Sequence, residues 1–174
     1  MNDSISPFCH QDTVRLADLR NGDLIGWRSI EPKRTSEMYL NLVRAATFSD
    51  FGHVSIVWNR PESIAHVEAV PPLIRRVNIP TTGEAYVVRT GMDIPDQVMA
   101  EFFNDKIGLK YSFRDAIMGY LGVTPPEEDR WQCAELSLEF LRRVGYSLPD
   151  AYTPSRLIRK ALIHTGKPMY YVQH

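Results

Sequence analysis

Short β-branched runs with polar and apolar positions in alternation fill the first half of the chain, and three-and-four spacing of apolar residues dominates the second half. The alternating runs read as strands. Asp23 to Trp27 (DLIGW), preceded by the turn pair Asn21-Gly22, is one. His53 to Trp58 (HVSIVW) is a second, with His53, Ser55 and Val57 on one face and Val54, Ile56 and Trp58 on the other. The turn cluster Asn59-Arg60-Pro61-Glu62-Ser63 separates it from Ile64 to Val70, where Ile64, His66, Glu68 and Val70 share a side, so the two runs form a hairpin. Further strands are predicted at Leu73 to Ile79 and at Ala85 to Thr90, both bounded by Pro or Gly, and at the C-terminal end around Pro168 to Val172.

The helical pattern appears first at Ser36 to Thr47, where Met38, Leu42, Val43, Ala45 and Ala46 recur behind Ser36 as a cap. Pro95 to Ile107 carries Val98, Met99, Phe102, Phe103 and Ile107 and ends at Gly108, and Ser112 to Leu121 opens with Ser-x-x-Asp and stops at Gly122. Trp131 to Val144 has Leu136, Phe140, Leu141 and Val144 as its buried stripe, which places Cys133 in the first turn. A last helix, Pro154 to His164, has Thr153 as its cap. With no repeat and no low-complexity linker, residues 1–174 are expected to form one α+β domain in which an antiparallel sheet packs against helices.

Composition narrows the function classes. At 174 residues, with 44% hydrophobic and 24% charged, the chain has the apolar content of an ordinary globular core, which excludes disorder, collagen and coiled coil. A formal charge of -1 creates no field to attract nucleic acid or an anionic membrane, so neither is expected as a partner. The start, MNDSISPF, lacks a basic segment followed by an apolar run, and no apolar stretch elsewhere is long enough to span a bilayer, so a cytoplasmic protein without stable membrane insertion is expected. Arg156, Arg159, Lys160 and Lys167 follow the last acidic residue, Asp150, and read as a solvated helix face. Two cysteines, Cys9 and Cys133, cannot form a multi-bridge scaffold.

Those two cysteines differ in setting. At the start of a helix, free N–H groups and partial positive charge stabilise a thiolate, and the same groups can receive an oxyanion, so Cys133 is a candidate nucleophile against the commoner fate of a buried structural cysteine. His53 follows a loop ending in Gly52 and is a candidate general base. If the hairpin pairs positions whose numbers total about 121, Glu68 lies across from His53 and can hold its tautomer, although a plain polar sheet edge would give the same spacing. Cys9-His10 receives no role, being adjacent on an extended segment near a terminus taken to be mobile, and His164 is explained by its helix end.

The ordered series Gly22-Asp23-Leu24-Ile25, Phe51-Gly52-His53-Val54-Ser55-Ile56-Val57, His66-Val67-Glu68-Ala69, Tyr111-Ser112-Phe113 and Trp131-Gln132-Cys133-Ala134-Glu135-Leu136 resembles the permuted NlpC-type papain-like family, also called YaeF/YiiX-like. The resemblance spans roughly positions 20 to 145. Its informative feature is order, because the histidine and its polar partner precede the cysteine helix. The resemblance implies a permuted papain-like fold and a Cys133, His53, Glu68 triad acting on an amide, ester or thioester carbonyl, with Tyr111 lining the substrate site; Gln132 and His66 are further substrate-binding candidates, His66 otherwise being a satisfied sheet histidine, and no metal or cofactor is expected. It also implies a bacterial or bacteriophage source. The substrates it implies are peptides, peptidoglycan fragments or lipid-like acyl groups. Acyl transfer of the kind catalysed by lecithin–retinol acyltransferase relatives, thioester or ester hydrolysis, and a silent binding module are the alternatives.

Two metal readings compete. His66-Val67-Glu68 followed by Pro71-Pro72 fits the first half of a zinc deaminase motif, but the later P-C-x-x-C is missing. A zinc ion on His53, His66 and Cys133 satisfies ligand chemistry without any spacing that requires it.

Overall fold

In the computed structural model, residues 9–29, 50–81, 83–114, 116 and 129–173 are described. Their strands are β1 (Cys9–Arg15), β2 (Leu24–Ser29), β3 (His53–Val57), β4 (Ala65–Val70), β5 (Leu73–Asn78), β6 (Glu84–Val88), β7 (Lys110–Tyr111), β8 (Arg130–Trp131) and β9 (Met169–Gln173), and their helices α1 (Asp96–Phe103), α2 (Cys133–Arg143) and α3 (Pro154–Thr165). Residues 113, 114 and 116 are also helical, while the rest of the helix predicted from Ser112 and the whole of the one predicted at Ser36 to Thr47 lie outside the described residues.

The strands form one sheet in the order β1-β9-β6-β2-β3-β4-β5-β7-β8. The predicted antiparallel pairing holds through the middle, whereas the β1–β9 pair at one end and the β7–β8 pair at the other are parallel. The protein is therefore α+β, as its element order predicts. No helix among the described residues is long and apolar enough to cross a membrane.

The two central strands explain why the sequence pattern there is so apolar: every residue of β3 and β4 is buried. On one side Val54, Ile56, Val67 and Ala69 join Leu136, Phe140 and Leu141 of α2 and Ile158 of α3 in the larger core. On the other, Ile25, Trp27, Val57, Ala85 and Val87 join Val14, Leu19 and Val172 in a second one. His53, Ser55, His66 and Glu68 lie on the same side as Val57 and Trp27, so a polar row is enclosed beside that second core.

The hairpin register departs by two from the prediction. Ile56 pairs with Val67 and Val57 with His66, which carries Ser55, not His53, to the position facing Glu68. An even shift keeps every side chain on its face, so His53 and Glu68 stay on one surface as diagonal neighbours.

Three further corrections concern the ends of elements. Cys9 is not in a loose terminus: it begins β1 and pairs with Met169. Trp131 does not open the helix, because Tyr111 pairs with it in a parallel bridge and the next residue is still extended. Thr153 occupies the cap position of α3 without making a side-chain cap bond, and it is the neighbouring Ser155 hydroxyl that accepts the Phe51 N–H at 3.1 Å.

Gly26 shows how closely α3 and the segment before β3 approach the sheet. A Cβ there would stand 2.8 Å from the Phe51 ring and 3.3 Å from Ile158 Cδ1. Overpacking of this kind costs about 1–3 kcal/mol, more than the roughly 0.4–1 kcal/mol that alanine gains through the unfolded chain. Gly26→Ala should therefore lower the urea midpoint; a midpoint equal to or above that of the parent protein would contradict the packing described.

Candidate active site

Cys133 is the first residue of α2, and the residue before it sets where that helix begins. Gln132 is extended and caps the helix: its Oε1 accepts from the Ala134 N–H at 2.9 Å, and its own N–H donates to Glu135 Oε2 at 3.3 Å. This is a capping box with glutamine in the leading position. Gln132 Nε2 donates to the Tyr152 carbonyl at 2.8 Å, anchoring the cap to the segment before α3. The Cys133 thiol, 5% exposed, points back along the turn and donates to Gln132 Oε1 at 3.8 Å.

His53 is the first residue of β3 and is 1% exposed. Its Nε2 donates to Glu68 Oε2 at 3.1 Å. The other ring nitrogen, Nδ1, is buried and makes no hydrogen bond within normal geometry, and Cys133 is the second group whose interaction acts on the ring. The remaining Glu68 oxygen, Oε1, accepts twice from Arg75, from Nε at 2.8 Å and Nη2 at 2.7 Å.

Burial alone would push the His53 imidazolium down, but the hydrogen bonds and charges of Cys133 and Glu68 outweigh it and raise its pKa from 6.5 to about 9. Glu68 shows the converse: burial pushes it up, and the His53 hydrogen bond with the charges of His66, His53 and Arg75 holds it well below the ordinary carboxylate range. His66 has no such hydrogen-bonded counter-ion, and burial lowers it to about 4, so it is neutral at physiological pH. Trp27 Nε1 donates to Ser55 Oγ at 3.0 Å, and the Ser55 hydroxyl is hydrogen-bonded to His66 Nδ1 at 2.8 Å.

The residues expected at the site thus divide. Cys133, His53 and Glu68 come together. Gln132 is buried with both amide ends engaged in the cap, His66 is buried against Ser55 with its ring centroid 5.5 Å from that of Trp27, and Tyr111 is buried in the larger core, edge-on to Phe113. Arg75 was not anticipated; the signal for it lay in the β4–β5 turn, whose register makes Glu68 and Arg75 cross-strand partners. A cavity of about 610 Å³ lined by Val14, Arg20, Arg89 and Tyr170, among others, contains none of these residues.

No family model and no curated protein matches the chain. Among solved structures, the fold is similar to that of the metalloprotein yiiX from Escherichia coli O157:H7, with a TM-score of 0.54 and 18% sequence identity over 88% of this chain and 88% of that one. The likeness is one of fold. The donor set here does not fit a resident metal ion: among the described residues no three His, Cys, Asp or Glu side chains form a metal-binding group. Both Glu68 oxygens are engaged, a guanidinium rests on one of them, and His66 Nδ1 is held by Ser55.

These shifts fix a pH dependence of stability. His53, raised from 6.5 to about 9, favours folding fully below 6.5 and loses that contribution as pH rises through 9. His66, lowered from 6.5 to about 4, and Glu68, lowered from 4.5, contribute above those ordinary values and lose it as pH falls. Denaturant midpoints should peak near neutrality, and Glu68→Gln should move the alkaline decline to lower pH. A midpoint that does not fall between neutrality and about pH 9.5 would contradict the raised imidazole.

Proposed function

We propose that the protein is a thiol hydrolase that cleaves an amide bond, with Cys133 as nucleophile, His53 as general base and acid, and Glu68 orienting His53. The observation that carries this reading is a single buried imidazole bonded through Nε2 to a carboxylate and acted on by a cysteine sulfur at a helix start. The order of these residues, histidine strand before cysteine helix, supports assignment to the permuted papain-like family, and the similarity in fold to yiiX supports a YiiX-like assignment.

In this reading Cys133 and His53 share one proton, which Glu68 holds on the His53 ring as Cys133 Sγ bonds to the carbonyl carbon and the carbonyl π electrons pass to the oxygen. The oxyanion formed is received at the N-terminal turn of α2, where the Gln132 cap engages the Ala134 and Glu135 amides and leaves that of Cys133. The His53 imidazolium then protonates the departing amine as the C–N bond breaks, leaving a thioester. Water attacks the thioester while His53 takes its proton; the C–S bond breaks, the acid departs, and Cys133 recovers the proton. Esters and thioesters follow the same route, and an added amine in place of water gives acyl transfer. Peptides, including those of peptidoglycan type, are the substrates proposed. Gln132 and His66 serve by holding the helix cap and Ser55, and Tyr111 by forming the wall behind Trp131.

Limited treatment with iodoacetamide at neutral pH, followed by mass spectrometry, should label Cys133 well before Cys9 even though Cys133 is buried, and His53→Ala should abolish the preference. Equal slow labelling in both proteins would remove the hydrolase reading. With an acyl p-nitroanilide, turnover should fall about 10²–10⁴-fold in His53→Ala and should decline in the parent protein as pH passes about 9, where the leaving amine loses its proton donor.

A further inference from the structure

Arg75 is tied to the candidate site by strand register as well as by contact. β4 and β5 pair so that Glu68 and Arg75 face each other across the ladder, which sets both on the face that carries His53, Ser55 and His66. The guanidinium closes on Glu68 Oε1 through Nε and Nη2, while Oε2 is left for His53 Nε2. A planar fork on one oxygen fixes the plane of a carboxylate, and the other oxygen is then aimed by that plane.

We propose that Arg75 is a positioning residue of this site, a fourth member of the row Cys133–His53–Glu68–Arg75 that holds the Glu68 carboxylate in the orientation and ionised state in which it serves His53. The proposal rests on the thiol-hydrolase reading above. Three groups face Glu68: His53 from β3, His66 from its own strand and Arg75 from β5. His66 is neutral except in acid, and His53 must become neutral in part of each cycle. Arg75 alone among the three keeps its charge throughout. Whenever His53 gives up its proton, Glu68, 5% exposed, would be an uncompensated buried anion without it. The Arg75 side chain is itself 34% exposed, so it supplies this charge without being fully withdrawn from water.

The test is the rate of Cys133 alkylation by iodoacetamide as a function of pH in the parent protein, Arg75→Gln, Arg75→Lys and His53→Ala, with thermal melts of each. Without the guanidinium Glu68 accepts a proton at higher pH, so the acid limb of the Arg75→Gln profile should move up by about one pH unit, a loss of about tenfold in rate at a fixed pH on that limb and none on the neutral plateau. Arg75→Lys, which keeps the charge and guards against an unfolded glutamine variant, should recover the acid-side rate. A profile lowered equally at every pH, or an Arg75→Lys protein no better than Arg75→Gln, overturns the proposal. If His53→Ala is labelled as fast as the parent protein, the hydrolase reading itself fails; if His53→Ala is slow but the Arg75→Gln profile stays parallel to the parent, only the role of Arg75 fails.

Discussion

A carboxylate taken out of water has to be matched oxygen by oxygen, and the polar heart of this fold is organised around that requirement. Glu68 offers one oxygen to an imidazole and the other to a guanidinium. Either bond alone would leave a buried lone-pair region uncompensated, at a cost of several kcal/mol for an ion in a low-dielectric site. The arrangement is possible because three adjacent strands, β3, β4 and β5, bring His53, Glu68 and Arg75 to one face of the sheet, and because the hydrophobic cores on both sides hold those strands in fixed register. A slip of one residue in β4 would turn Glu68 and His66 into the larger core among Val54, Ile56 and α2.

The cysteine reaches this row by a different route. β8 at the edge of the sheet ends in Trp131, and Gln132 converts an extended chain into a helix within one residue through its capping box. The helix start, and with it the sulfur, is therefore set by the bond of Gln132 to Tyr152 as much as by the packing of Leu136, Phe140 and Leu141. His66 occupies a supporting place in the same network. Its neutral ring is hydrogen-bonded to Ser55, which accepts from Trp27, so β2, β3 and β4 are stitched together by polar side chains beside the second core.

The parts legible in the sequence are those written in local pattern. Val54-Ser55-Ile56-Val57 can hardly be anything but a buried strand, and the stripe of Leu136, Phe140 and Leu141 followed by Gly145 defines α2 to within two residues. The placement of His53 and Glu68 on one face was also legible, since alternation puts them there in any register of the same parity. What depended on distant partners was not. β7 and β8 are two residues each and are defined by distant partners, β7 by Leu73 of β5 and β8 by its pairing with β7. β1 has no apolar alternation of its own and is held by β9 from the far end of the chain. Gln132 is expected at the substrate, whereas its side chain caps α2 locally and its anchoring bond goes to Tyr152, twenty residues on. Arg75 is one of several charges on a half-exposed strand, and its significance arises only when β5 folds back on β4.

The central claim is that the buried ring of His53 is a cation at neutral pH, held so by Cys133 and by the anionic carboxylate of Glu68. Nitrogen-15 NMR of histidine-labelled protein at about pH 7.5 tests it directly, because the shifts of the two ring nitrogens distinguish an imidazolium from either neutral tautomer. Both nitrogens of His53 should carry protons in the parent protein, and the ring should lose its proton at lower pH in Glu68→Gln. A neutral His53 ring in the parent protein at that pH would contradict it.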